Sequence, residues 1–549
     1  MDENKQGGVL VQAGILAAAS IIVRIIGLLY RSPLTAIIGD EGNGYYGTAY
    51  NIYTIILLIS SYSVPSAISK IMSQKMATGH YKSAQRVFHA ALLYNLVVGF
   101  ACGVFLYFGA GLLVPENCVS VLRIFAPTIF LFGILGAIRG YYQARGSMVQ
   151  TSLSQILEQI VNAAVSIGAA AFLMNLVAGS DATTRARYGA MGSALGTGSG
   201  VVVALLLMLK FYLKDRRGFL KGVREDHHPD SEKFSAVFRE TILVITPFIL
   251  SSFILNLTTS LNQTIYIKTM IGSKGLDQVP VTTMYGIFSN KAVVITNIPI
   301  SIATAVSAAI IPGISAAYAR GSREETVSRA ENAKWMTVMI AAPCAFGLMF
   351  LARPITMLLF PQMNSLQTAS MLLALLSVTV IFYSVSTITN AVLQSIGRMT
   401  IPLISAGIAL VLQTVLLIAL LQFTQLQIYA LVVVSVVYSM MIFLLNEAFL
   451  HKYLGGNTDP VRMIVKPVLC SLGMGICGRA VYEAVYRLAA GLSERAYFRN
   501  LAAAVPALLV SVIVYFLFML KCKGIREEDI LLLPKSKSIL RLLKKVRML

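Results

Sequence analysis

Ile138-Arg-Gly-Tyr-Tyr-Gln143-Ala-Arg-Gly146-Ser-Met148 and Thr389-Asn-Ala-Val-Leu-Gln394-Ser-Ile-Gly397-Arg-Met399 share Gln, Gly and Met at a constant offset of 251 residues. Ser63-Val-Pro65-Ser-Ala-Ile-Ser69 and Ile310-Ile-Pro312-Gly-Ile-Ser315 echo one another at an offset of 247. Both pairs sit beside long apolar runs, six runs apart, so the chain reads as an internal duplication. Six is even, and both copies therefore enter a membrane in the same sense. Such parallel repeats place the substrate site near their interface.

Outward from these marks, apolar runs fall at 9–30, 46–64, 87–113, 121–142, 153–177, 189–212, 240–266 and 284–311. They continue at 335–352, 368–394, 401–422, 427–450, 463–488 and 500–520. A spanning helix uses about 20 apolar residues. The expected fold is an all-α integral membrane protein of about 14 transmembrane helices, with two six-helix lobes around a central cavity and two further C-terminal helices. The expected divisions are an N-lobe at 1–212, a basic cytoplasmic linker at 213–239 and a C-lobe at 240–450. Helices 13 and 14 occupy 451–520, and an amphipathic cytoplasmic tail occupies 521–549.

Composition agrees. Of 549 residues, 56% are hydrophobic and 13% charged, about half the charge of soluble domains. The start, Met1-Asp-Glu-Asn-Lys5, lacks a basic n-region and reads as part of a retained helix. Net charge is +21, which in a soluble chain suggests nucleic acid. Here placement decides otherwise. With the N-terminus inside, 32 cations fall on the cytoplasmic side and 10 outside, the asymmetry that orients membrane proteins. Nucleic acid is not an expected partner; membrane lipids are. The chain is expected in the cytoplasmic membrane with both termini cytoplasmic. In the tail, Arg541, Lys544, Lys545 and Arg547 suit anionic head groups.

Ionisable groups inside spans are costly and mark functional candidates. Arg24 lies two-thirds along the first run, with Arg31 on the same face; it either serves a cavity or snorkels to the surface. Lys291 opens the eighth run beside Asn290. Gln155, Glu158 and Asn162 form one helical stripe, with Glu158 read as a counter-charge, a proton carrier or a structural hydrogen-bond group. Asn256 and Asn390 lie on similar stripes in the seventh and tenth runs, and their recurrence suggests a wet cavity. Tyr46, Tyr50 and Tyr53 read as an aromatic belt or a sugar platform. Gly192-Ser-Ala-Leu-Gly196 reads as small-residue helix packing. Five histidines and six cysteines show no metal or C-x-x-C spacing. No enzyme activity and no cofactor are expected. Energy is expected from a coupling ion (Na+ or H+), membrane potential or the substrate gradient.

The run Arg139-Gly-Tyr-Tyr-Gln143…Met148…Thr151…Ser154-Gln155…Glu158-Gln159 resembles the SpoVB/YtgP branch of the MurJ-type flippases, within the multidrug/oligosaccharidyl-lipid/polysaccharide exporter superfamily. Tyr285-Gly-Ile-Phe-Ser-Asn-Lys291 and Glu527-Glu-Asp-Ile…Leu533-Pro-Lys535 resemble the same branch. That resemblance implies a lipid II flippase alternating between inward- and outward-open states. Cations at Arg24, Arg31 and Lys291 would hold an undecaprenyl-pyrophosphate-linked glycan, and the last two spans would take its tail. Arg139, Gln143, Gly146, Gln394 and Gly397 would be gate and signature positions, with cell-wall synthesis machinery as a partner. Ser60-Ser61 stand where other members carry an arginine, so the cation set is thinner here. Rival readings are a flippase for another lipid-linked polysaccharide (teichoic, capsular or sporulation-related), a cation-coupled multidrug exporter and a membrane transferase.

Overall fold

A computed structural model describes residues 3–62, 64–226, 233–455, 460–489 and 495–525. All regular elements among them are helical. Lipid offers no partner for a backbone N–H or C=O, so a spanning segment must satisfy both internally. The helices are α1 (Glu3–Leu29), α2 (Arg31–Leu57), α3 (Val64–Ala77), α4 (Tyr81–Leu113), α5 (Glu116–Ala144), α6 (Val149–Leu176), α7 (Ala182–Glu225), α8 (Phe234–Lys268) and α9 (Gln278–Ile287). They continue as α10 (Val293–Ala319), α11 (Arg323–Phe350), α12 (Ala352–Leu359), α13 (Met363–Leu376), α14 (Val378–Ser395), α15 (Thr400–Phe423), α16 (Ile428–Leu454), α17 (Lys466–Leu488) and α18 (Ala496–Lys521). Four five-residue π-helical segments, Leu58–Tyr62, Thr269–Ser273, Phe288–Ala292 and Val461–Val465, interrupt the α-helical runs.

Against fourteen expected spans, eleven helices among the described residues are long and apolar enough to cross a membrane, or twelve if the pair α13 and α14, bent by 42°, is one span. The expected spans outside that count are the first and seventh, α1 and α8. Two boundaries differ from the sequence reading. The connection expected at 31–45 is itself helical, because Pro33 fits the first turn of α2, and the chain breaks only at Gly39. The basic linker expected from 213 is helical as far as Glu225, since α7 runs on for 44 residues. At 1.5 Å per residue that is about 66 Å, twice the hydrocarbon thickness, so the Lys210–Arg224 end extends beyond it. The amphipathic tail falls almost wholly outside the described residues.

The chain forms two compact units. One comprises Met1–Asn290 with Leu421–Thr424, and the other Lys291–Leu420 with Gln425–Leu549. By compactness the division falls inside the π-helical turn Phe288–Ala292, so α8 and α9 pack with the first unit although they follow the basic linker. In the first unit one core gathers Phe88, Tyr141 and Met208. A second gathers Tyr45, Tyr46, Tyr53 and Phe125, where Tyr53 stacks on Phe125 with ring centroids 4.7 Å apart. Tyr46 and Tyr53 are therefore core residues of this unit. The small-residue face of α7 packs closely on α6: a Cβ at Gly200 would meet the Glu158 carbonyl oxygen at 2.6 Å, and Gly192 and Gly196 lie against Ala170 and Ser166 in the same way.

The two repeated marks adopt the same turn. Gly146 has φ +72° and Gly397 φ +80°. The Ser147 amide donates to the Tyr142 carbonyl at 3.1 Å, and the Arg398 amide to the Leu393 carbonyl at 2.9 Å. Both are the six-to-one bond of a glycine-terminated helix, closing α5 and α14. A β-branched side chain in this left-handed region costs roughly 1–2 kcal/mol. Gly146→Val and Gly397→Val are each expected to lower the thermal midpoint of the purified protein, with Gly→Asn at the same sites milder. Equal midpoints for wild type and both Val variants would contradict the strain argument.

Candidate functional site

In the first unit, Arg139 near the end of α5 meets the α6 stripe. Its Nη2 donates to Glu158 Oε2 at 2.7 Å, and its Nε donates to Ser154 Oγ at 2.9 Å. The Arg139 side chain is 6% exposed and that of Glu158 23%, so the pair opens only on the carboxylate side. Buried charges persist when paired and hydrogen-bonded, and the Arg-x-x-x-Gln and Gln-x-x-Glu spacings set this pair on facing helices. Gln155 contributes a buried Oε1 without a partner, whereas Asn162 Oδ1 accepts from Ser166 Oγ at 3.0 Å within α6. Arg31 and Glu158 both lie within electrostatic reach of Tyr50, so the start of α2 lies near the same region. Arg24 is exposed on α1. One turn further on, a side chain at Gly27 would touch Gln159 Nε2 at 3.2 Å, so α1 lies along α6. Gln143 lends its carbonyl to the Gly146 amide at 3.0 Å.

A second polar cluster holds α2, α8 and α9 together. Asn51 Nδ2 donates to Gln263 Oε1 at 2.7 Å and to the Tyr285 hydroxyl at 2.9 Å. Gln263 Nε2 donates to the Thr48 carbonyl at 2.9 Å. Asn290 Nδ2 donates to the Asn43 carbonyl at 2.8 Å, and Asn256 lies exposed on α8. Asn51 was not singled out by the sequence, because one amide in an apolar run looks like ordinary helix glue; the recurrence of Asn and Gln on the seventh run was the available signal. One cavity of the first unit lies elsewhere. It is an open cleft of about 990 Å³ at the far end of α7, bordered by Tyr81, Arg145 and Phe219 and by none of the predicted site residues.

In the second unit, Lys291 is 1% exposed. Its ammonium donates to Ser365 Oγ at 2.7 Å and lies 5.8 Å from the centroid of the Phe360 ring, near the range of a cation–π contact. Lys291 belongs to a π-helical turn, a local widening often found at functional positions. Asn390 accepts from Asn446 Nδ2 at 2.7 Å. Gln394 accepts from the Gly397 amide at 3.1 Å through its backbone, its side chain exposed. Sequence reasoning missed Ser365, and it missed the ion pair between Lys334 and Glu447 at 3.0 Å. The acid inside so apolar a run as 427–450 was the available signal. Ser60 and Ser61 are fully buried, with Ser61 beside Gly133, so this position offers no cation.

Comparison with known families and proteins adds six likenesses. The family described as Polysaccharide biosynthesis protein matches residues 9–318, more than half the chain, and MatE matches 291–418, beginning where the second unit begins. The chain is 24% identical over 429 residues to the lipid II flippase MurJ of Bacillus subtilis (strain 168), covering 75% of this chain and 77% of that one. It is 23% identical over 531 residues to stage V sporulation protein B of the same organism, covering 95% and 96%. Its fold matches a lipid II flippase MurJ in the inward closed conformation with TM-score 0.65 at 16% identity, over 92% of this chain and 97% of that one. An inward-facing multidrug resistance MATE family transporter matches with TM-score 0.64 at 15% identity, over 78% and 94%.

Proposed function

The chain belongs to the polysaccharide biosynthesis protein family, as a multi-pass all-α membrane protein with a transporter fold, and from that premise we propose that it flips a lipid-linked glycan across the cytoplasmic membrane by alternating access. The observation that carries this reading is coverage: the similarity to a flippase and to a sporulation protein spans both units, not a shared fragment. The cations inside the spans support an anionic cargo, because attraction between a fixed charge and a pyrophosphate grows several-fold where water is scarce. The finer reading is a lipid-linked peptidoglycan precursor, lipid II. The near full-length likeness to a sporulation protein favours, as a second reading, a related lipid-linked polysaccharide. Coupling to Na+, H+ or membrane potential, contact with cell-wall synthesis machinery and cytoplasmic termini belong to the same proposal.

The test is rescue. Cells depleted of their own lipid II flippase and supplied with this chain are expected to keep growing and to present the precursor at the outer face. Expression at normal membrane levels with no growth and no outward precursor would set the lipid II reading aside in favour of another lipid-linked glycan.

A further inference from the structure

Where α17 ends and α18 begins, the second unit collects arginines. Arg479 and Arg487 lie on α17, Arg495 and Arg499 open α18, and Arg353 opens α12. A buried amide holds the three helices together. The fully buried Asn500 accepts from the Tyr482 hydroxyl at 2.8 Å and donates to the Pro354 carbonyl at 3.0 Å. Leu351, Tyr482 and Ala503 share one apolar cluster around it. Arg353 is thereby set beside Pro354, and Arg499 beside Asn500. The Tyr482 and Tyr486 rings stack with centroids 5.5 Å apart. The Arg479 guanidinium lies 5.7 Å from the first ring and that of Arg499 5.4 Å from the second, and Arg353 is within electrostatic reach of Tyr482.

Charge at this corner is unbalanced. Among its described residues the one carboxylate is Glu483, and Arg479, one turn away on the same helix, is paired with it. Neither Arg353 nor Arg499 has an ion pair among the described residues. The helices do not supply the missing negative charge. A helix N-terminus carries a partial positive charge and disfavours cations, yet Arg353 stands in the first turn of α12 and Arg495 caps α18, with no acidic residue in either first turn. The contact with Tyr486 orients Arg499 without neutralising it. Below the arginines, Phe498, Leu501, Val505 and Val512 are exposed at helical spacing on α18. Tyr486 and Tyr497 sit where the cations meet that apolar face, the level at which tyrosine is enriched in membrane proteins.

We propose that Arg353 and Arg499, flanked by Arg479, form a headgroup site for an anionic phospholipid. The lipid phosphate is held by the guanidinium groups, and its acyl chains run along the face of Phe498, Leu501 and Val505. Guanidinium groups match phosphate oxygens in pairs, which a diffuse attraction between surface charges does not require. A zwitterionic headgroup brings its own cation into an already positive field, so the site selects against it. A free phosphate ion gains nothing from the apolar face, which is why a lipid is the occupant that suits both halves of the site.

Fluorescence quenching of the full-length protein in bilayers tests this without any transport assay. The chain has one tryptophan, Trp335, so Trp335→Phe with Tyr497→Trp places a single reporter at this corner. Phosphatidylglycerol with brominated acyl chains is expected to associate there about fivefold more strongly than brominated phosphatidylcholine. In Arg353→Gln/Arg499→Gln that ratio is expected to fall to about one, and Arg353→Gln alone should give an intermediate value. Equal quenching by the two lipids in the reporter protein overturns the proposal, as does a ratio that survives in the double variant. If the double variant does not fold, Arg353→Gln decides, because its side chain is exposed: an unchanged ratio overturns the proposal equally. A ratio abolished by inorganic phosphate at constant ionic strength would make the occupant a water-borne anion and overturn the lipid assignment. None of these outcomes depends on which glycan is moved.

Discussion

Arg139→Met is expected to destabilise the first unit by about 3–5 kcal/mol, because it strands the Glu158 carboxylate between α5 and α6. The loss has two parts: the 2.7 Å bond to Glu158 and the 2.9 Å bond to Ser154. Arg139→Lys keeps the charge without the planar fork, so it can serve one partner but not both, and it should fall between. Glu158→Gln in the Arg139→Met background should recover much of the loss, since it removes the stranded charge. Thermal or denaturant unfolding of the wild type and the three purified variants checks the series. Equal stability of wild type and Arg139→Met would mean that the pair is not holding α5 to α6.

Arg24→Ala and Lys291→Ala are each expected to abolish rescue of flippase-depleted cells while membrane levels stay near normal. Arg binds phosphate oxygens bidentately, whereas Lys acts as a point charge, so Arg24→Lys should retain part of the activity. Lys291→Arg is expected to fail, because Lys291 is 1% exposed and a larger head group must be forced into a closed site. The opposing expectation is that an ionisable group in a span costs about 2.5–3.5 kcal/mol on insertion scales, so alanine should help. Rescue counts with expression controls separate the two. Full rescue by both alanine variants would remove these cations from the mechanism.

Much of the architecture was legible because hydropathy and the helical period are local properties. The separation of α15 from α16 and the equivalence of Gly146 with Gly397 could both be read from spacing. The C-terminal end of the first span could not, since a residue such as Gly39 can end a helix or sit within a loop, and only its neighbours decide. The division at Asn290 and Lys291 was equally hidden: the sequence marks the basic linker, whereas compactness depends on which helices the Asn51–Gln263–Tyr285 contacts draw together. For the site, residue type revealed Arg24, Lys291 and Glu158 as costly. It did not reveal partners, because a hydrogen bond such as Lys291 to Ser365 joins residues 74 positions apart. Lys334 shows the same limit, since its contact with Glu447 joins residues 113 positions apart.

The shared turn after α5 and α14 has an evolutionary consequence. The offset that aligns Gly146 with Gly397 also aligns Arg139 with Asn390. One half thus keeps a guanidinium that serves a carboxylate on the following helix. In the other half the matching position is an amide, the position matching Glu158 is Ala409, and the ion pair of that half joins Lys334 on α11 to Glu447 on α16. The descendants of one ancestral segment kept the bend and divided the chemistry. A chimaera built by exchanging these two helices would preserve the turn but leave one half with two cations and the other with none, so the halves are paralogous in shape and no longer interchangeable in charge.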